Sequence, residues 1–384
     1  MAHHSTVFAQ LLKLIPRHEF ETLAAQHHQG RKLRRLTRWG QFVALATAHL
    51  ACRHSLRDLV DNLQAQSQKL YHLGIRAVTR SSLARVNEHQ PYQLYESLFA
   101  KLATRCQQLA PRHGFRFRNK LYSLDASLID LSLAIFPWAH YALGKAAMKL
   151  HVGLDHDGHL PVFAAITHGH TSDLAIARTL NFPKGSMVVC DKGYMDYAWF
   201  KTLTETGMFF VTRPRKNAVS RILTRRPVNR QQGLTSDHTV QFHGHKPQQI
   251  GMPPLRQVGY RDPETNKHYV FLTNAFHFSA KTIADIYKQR WQIELFFKWL
   301  KQNLKIKTFL GTSRNAVLTQ IWVALCLVLL LAYLKFEARL TWSLQQMLRL
   351  LQLNLFLKRE LLALLRGEPP LPPPGQLPNQ LMLV

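Results

Sequence analysis

Two short apolar runs, each closed by a single aspartate, constrain this chain more than any other feature. Leu121, Tyr122, Ser123 and Leu124 precede Asp125, and Met187, Val188, Val189 and Cys190 precede Asp191. Runs of this length and composition read as short buried strands. A carboxylate at the end of such a strand is costly unless it is paired or bound to a metal. Two parallel neighbouring strands would set the aspartates side by side. The fold must then contain such a sheet, and the site must supply a counter-charge.

Downstream the chain reads Tyr287-x2-Arg290-x3-Glu294-x6-Lys301. On one helix, at 100° per residue, Glu294, Lys301 and Arg290 fall within about 60° of one another beside Tyr287. Ile286, Ile293, Phe297, Leu300 and Leu304 occupy the adjoining arc, so the helix would dock by an apolar stripe and present a carboxylate flanked by cations. An ordinary amphipathic helix has the same spacing; the upstream aspartates tip the reading toward a site. Asp125, Asp191 and Glu294 together offer oxygen ligands for two hard cations. Mg2+ fits, with Mn2+ as a substitute, because no soft ligand is required. Arg290 would grip phosphate by two prongs, Lys301 as a point charge, and Tyr287 through its hydroxyl.

These residues resemble the DDE transposases of bacterial insertion sequences, in the branch defined by the tyrosine, arginine, glutamate, lysine signature. Asp191-Lys192-Gly193-Tyr194, Trp138-Ala139 and Lys149-Leu150-His151 resemble further blocks of that family. The resemblance covers roughly residues 118 to 335. Residues 1 to 110 are similar to the small helical domain found ahead of this core, with Ser55-Leu56-Arg57-Asp58 as the clearest block. It implies an enzyme that binds the terminal inverted repeats of its element, then cuts and rejoins double-stranded DNA at element ends and target. It also implies a cut-and-paste route through a DNA hairpin, a homodimer in the active complex, and a cytoplasmic, nucleoid-associated location.

Composition agrees. The 384 residues carry 50 Lys+Arg against 22 Asp+Glu, a formal net charge of +28, which points to a polyanionic partner. A hydrophobic share of 46% argues against a disordered basic tail. A glycosidase with paired carboxylates would need neither this charge nor the cationic helix face. A basic DNA-binding regulator leaves the three acids unexplained, and a structure-selective nuclease without strand transfer would use the same site. Cys52, Cys106, Cys190 and Cys326 are widely spaced and suggest neither a disulfide framework nor a zinc ribbon. Lys13, Pro16 and Arg17 interrupt the first apolar run, so no signal-peptide core is expected.

The expected fold is α/β, a ribonuclease H-like core with a mostly β insertion, preceded by a small all-helical domain and followed by C-terminal helices. Residues 1–110 form the DNA-binding domain, with a cationic block at Arg31, Lys32, Arg34, Arg35 and Arg38. A second DNA-contact element spans Thr79 to Asn87, with Ser81 or Ser82 as its helix cap. Pro111 to Gly114 marks a linker. Strands are expected over 122–133, 149–154, 160–166, 187–191 and 208–212, with helices over 172–180 and 197–205; three antiparallel strands then alternate with helices. Asp155-x-Asp157-Gly158 reads as a hairpin turn rather than a calcium loop. The catalytic domain spans 118–335, with its insertion at about 213–280 and a basic entrance at Arg213, Arg215, Lys216, Arg221, Arg225 and Arg226 suited to tracking phosphates. The apolar stretch 321–334 reads as a buried helix backing the sheet, not a membrane span. Residues 336–384 form a final helix and a Pro-rich tail from Pro369 to Pro378. His151 reads as a hydrogen-bonded strand residue, Trp291 and Trp299 offer faces on which a displaced base could stack but are more often packing, and His3 and His4 read as an ordinary N-terminus.

Overall fold

Thr6, Thr37, Ser55 and Thr79 each accept a backbone N–H from three residues on, and a helix follows each. In the computed structural model, which describes residues 5–304 and 306–369, the N-terminal helices are α1 (Val7–Leu12), α2 (Arg17–Gln26), α3 (Arg38–Leu50), α4 (Leu56–Ala65), α5 (Arg80–His89) and α6 (Gln93–Leu109). The α5 cap is Thr79, one turn earlier than the serines expected, because Ser82 supplies the N–H that Thr79 accepts.

The period then becomes that of strands. In order come β1 (Leu121–Leu131), β2 (His140–Ala142), β3 (Lys145–Asp155), β4 (Leu160–His168), α7 (Asp173–Ala177), β5 (Met187–Cys190), α8 (Tyr197–Glu205) and β6 (Phe209–Thr212). The region expected to be an insertion adds β7 (Ser220–Arg225), β8 (Leu234–Phe242), α9 (His245–Gln249), β9 (Leu255–Arg261) and β10 (His268–Thr273). Then follow α10 (Ala280–Gln289), α11 (Trp291–Asn303), α12 (Arg314–Glu337), α13 (Leu344–Asn354) and α14 (Leu361–Arg366).

The strands form one sheet in the order β2-β3-β1-β5-β6-β10-β9-β8-β7, with β4 also paired to β3. β1, β3 and β4 are antiparallel, whereas β1, β5 and β6 run parallel. Three antiparallel strands followed by parallel ones make the ribonuclease H-like core. Its β insertion extends the same sheet through β10, antiparallel to β6. The β3–β4 turn is closed by Gly158 at φ 68, and its aspartates pair with the Lys120 ammonium, whose Nζ lies 2.9 Å from Asp155 and 2.6 Å from Asp157.

The chain divides into two compact units. One holds the described residues up to Ala110, Ala134–Trp138 and those from Trp299 onward; the other holds Pro111–Leu133 and Ala139–Lys298. In the first unit α12 packs on α3, α5, α6 and α13. This corrects the expectation that α12 backs the sheet. Its apolar residues face every direction because helices, not a sheet, surround it. By length and composition it could cross a membrane, yet 94% of its apolar window is buried within the protein. His3, His4 and all but the first residue of the Pro-rich segment lie outside the described residues.

Candidate active site

Leu124 and Cys190 are the last partners in the parallel β1–β5 register, and Asp125 and Asp191 are the residues that follow them. Asp125 continues in β1, opposite Val152 of β3. Asp191 leaves the sheet, and its Oδ1 accepts the Gly193 N–H at 2.7 Å, capping a tight turn over Lys192–Tyr194. A Cβ on Gly193 would lie 2.8 Å from that same oxygen, so the turn needs glycine for the close approach. The Thr212 hydroxyl donates to the Asp191 carbonyl at 3.0 Å, and the Arg215 guanidinium donates to the carbonyls of Lys192 and Gly193 at 3.4 and 3.2 Å. The Asp-Lys-Gly-Tyr block is thus a fixed mount for one carboxylate.

Tyr287 and Glu294 prove not to share one unbroken helix. The helix is interrupted at Arg290, where Arg290 N–H bonds the Tyr287 carbonyl and Ile293 N–H bonds the Arg290 carbonyl, i→i+3 spacings that tighten the turn. The expected apolar stripe holds: Ile286, Ile293, Phe297, Leu300 and Leu304 are all buried. Arg290 Nη2 donates to Glu294 Oε1 at 2.5 Å, and its Nη1 lies 3.7 Å from Asp125 Oδ2. The guanidinium therefore bridges the helix acid and the β1 acid. Its Nε is buried and has no hydrogen-bond partner among the described residues. Burial pushes the Asp125 carboxyl up to about 6; the Ala126 N–H and Arg290 oppose the rise, while Asp191 and Glu294 add to it.

Tyr287 is buried, with its ring centroid 4.7 Å from that of Phe271 and the Arg290 guanidinium 5.7 Å from its centre. Burial raises its pKa, against the pull of Arg290 and Arg213. Packing thus accounts for most of its surface. Five of the six expected site residues lie in the sheet unit, whereas Lys301 lies beyond the division at Trp299, in the helical unit.

Among the described residues no three His, Cys, Asp or Glu side chains are gathered into a metal cage. Arg290 places a positive charge between Asp125 and Glu294. The donors themselves are all carboxylate oxygens, and a half-buried carboxyl pressed by two like charges is what a hard divalent cation relieves.

Beside Arg290 opens a cavity of about 500 Å³ walled by Arg213, Tyr269, Tyr287, Lys288 and Trp291. Trp291 is 56% exposed and so is not the packing residue expected. A larger cavity of about 660 Å³, between Arg230 and Lys281, contains none of the expected site residues. His151 is 3% exposed and hydrogen-bonds Thr167 Oγ1 at 2.8 Å; burial lowers its pKa to about 4, which fits a structural strand residue. Of the basic entrance, Arg215 is used on the Asp191 turn, Arg226 pairs with Asp237 at 3.4 Å and Arg213 lies over the Tyr269 ring, 5.3 Å from its centre, while Lys216, Arg221 and Arg225 are exposed.

Sequence reasoning missed Arg256. Its guanidinium meets the buried Asp237 carboxylate at 2.9 and 2.7 Å and donates to the carbonyls of Ala275, Phe276 and Phe278, just before α10. The signal was available: a lone Arg inside the apolar strand Leu255-Arg256-Gln257-Val258 needs a buried acid opposite.

Residues 119–331 match the family described as the transposase DDE domain, and residues 3–76 match one described only as a domain of unknown function, DUF4372. A Sinorhizobium fredii protein named as a transposase, y4zB, is 32% identical over 75% of this chain and 80% of its own length. A Geobacillus stearothermophilus protein named as the transposase for insertion sequence element IS5377 is 30% identical over 66% of this chain and 67% of its own. Among solved structures, a piggyBac transposase synaptic complex with hairpin DNA aligns over 94% of this chain and 80% of its own, at TM-score 0.47 and 11% identity.

Proposed function

The chain belongs to the DDE transposase family, a family of DNA-cleaving enzymes, and on that premise we propose that Asp125, Asp191 and Glu294 form its cutting site at the ends of an insertion sequence. The observation that carries this reading is that Asp125 and Asp191 each follow the last paired residues, Leu124 and Cys190, of adjacent parallel strands, with Glu294 joined to Asp125 through Arg290. Asp125 and Asp191 would share two Mg2+ ions and Glu294 would complete one shell. Such ions supply an activated oxygen nucleophile and stabilise the departing oxygen.

The protein's own groups do the rest. Gly193, Thr212 and Arg215 hold Asp191 at a fixed angle. Arg290 exchanges its carboxylate partner for a DNA phosphate, to which it presents two parallel N–H groups. Lys301 adds a point charge to the DNA backbone, and Tyr287 holds the Arg290 guanidinium over its ring. Water first breaks one strand at the element end and frees a 3′-hydroxyl. That hydroxyl then displaces the leaving oxygen of the opposite strand, closing a hairpin, which a second water reopens. The reopened 3′-end attacks target DNA. Two copies would bind the two terminal inverted repeats, in the cytoplasm at the nucleoid.

End-labelled element DNA with the full chain and Mg2+, followed on denaturing gels, tests the route. The expected order is nick, hairpin, open end, joined product. Double-strand breaks with no hairpin under trapping conditions would remove the hairpin step. Cutting without any joined product would instead favour a structure-selective nuclease.

A further inference from the structure

Helix α5 buries Leu83, Val86 and Asn87 and turns its other side outward. Arg80, Ser81 and Arg85 are exposed there, with Ala84 between them. At 100° per residue these four positions span about 140°, so a small methyl group lies between two guanidiniums. Arg donates two bonds to guanine, Ser bonds several bases, and Ala packs on the thymine methyl, all within a major groove wide enough for one helix. Among the described residues Arg76, Arg80 and Arg85 form no ion pair. The acid on the α5 face, Glu88, lies 3.8 Å from His89.

This face is rigidly mounted. Asn315 Nδ2 donates to the carbonyls of Asn87 and Gln90 at 2.8 and 2.7 Å, and Gln41 donates to Asn87 Oδ1 at 2.8 Å. The same end of α5 anchors the cationic loop between α2 and α3. Gln90 Nε2 donates to the Gln29 carbonyl at 2.6 Å, and Arg38 Nη2 donates to the Pro91 carbonyl at 2.6 Å. Between those two anchors Arg31, Lys32, Arg34 and Arg35 stand exposed. A base-reading face and a phosphate-gripping loop are thereby fixed to each other.

We propose that α5 reads base sequence in the major groove of double-stranded DNA, through Arg80, Ser81 and Arg85, while the loop 31–35 grips the flanking backbone. The assignment rests on the reading of this chain as an end-binding transposase and names the element that does the reading. Phosphate contacts set affinity and its salt dependence, whereas base contacts set discrimination. The two groups of residues therefore predict different losses.

The test uses the full chain in EDTA, which prevents cutting, with a pool of random-sequence duplexes from which the wild type enriches a motif. Affinities for the motif duplex and for its shuffled version are then measured across salt. Arg80→Ala and Arg85→Ala are expected to lower the motif-to-shuffled ratio roughly tenfold each, with shuffled affinity little changed. Arg34→Ala and Arg35→Ala should weaken both duplexes together and make the salt slope shallower by about one per charge. Equal thermal unfolding of all variants guards against misfolding. If Arg80→Ala and Arg85→Ala enrich the wild-type motif with an unchanged ratio, α5 is not the reader. A wild type that enriches no duplex motif, or prefers double-stranded RNA, would overturn DNA-end recognition itself and this assignment with it.

Discussion

Asp125 meets two opposed demands: its place in the sheet half-buries it, and its proposed role needs it charged. Its carboxyl is raised from 3.8 to about 6 in the folded chain. Between those values the folded state holds a proton that the unfolded chain lacks, so the stabilisation from this group is complete below about pH 4 and is lost as pH rises through 6. In EDTA, Asp125→Asn should therefore be more stable than the wild type by roughly 1–3 kcal/mol at pH 8 and about equal to it at pH 4, as read by urea unfolding. An equal difference at both pH values would contradict the burial of this carboxyl. Gly193→Ala tests the mount of the other acid. Its Cβ would crowd Asp191 Oδ1, and cleavage should fall roughly 100-fold while DNA affinity stays put. Both aspartates were legible because an acid closing an apolar run has few cheap explanations. The Arg290–Glu294 bond was visible only as an i, i+4 spacing, since which partner an Arg takes depends on what the fold brings near it.

Among the elements, strand order was legible wherever a run was short, apolar and punctuated, as for β5 and β6. The single helix expected over the signature was not, because an interruption at Arg290 leaves helical periodicity almost intact. The packing of α12 was also hidden: uniform apolarity says that a helix is buried and not what buries it. That packing bears on whether the N-terminal helices fold alone. A fragment ending near Pro111 would lack α12, on which α3, α5 and α6 close. Such a fragment should show a broad, non-cooperative thermal transition, while the full chain melts cooperatively. A sharp transition in the fragment would mean that the N-terminal helices need no C-terminal partner. In the insertion, the Asp237–Arg256 pair ties β8 and β9 to the carbonyls that precede α10. Asp237→Ala leaves a buried guanidinium unpaired and should cost about 3–5 kcal/mol by urea unfolding. A loss below about 1 kcal/mol would remove the pair from the supports of the site.

At the scale of the molecule, a formal charge of +28 accompanies two compact units, one of helices and one built on the sheet that holds the three proposed acids. Charge and composition announced the polyanion from the sequence alone. The division of the chain did not follow sequence order, because the C-terminal helices join the N-terminal ones in one unit. Binding to DNA of any sequence should weaken steeply with salt, as counterion release requires, whereas the motif-to-shuffled ratio should persist. The account as a whole stands on the three acids. Its most direct measurement compares cleavage of end-labelled element DNA in Mg2+ by the wild type and by Glu294→Gln, with binding of the same DNA measured in parallel. The account predicts that Glu294→Gln binds as the wild type does and cuts at least about 1,000-fold more slowly. Cutting at near the wild-type rate by Glu294→Gln would contradict it.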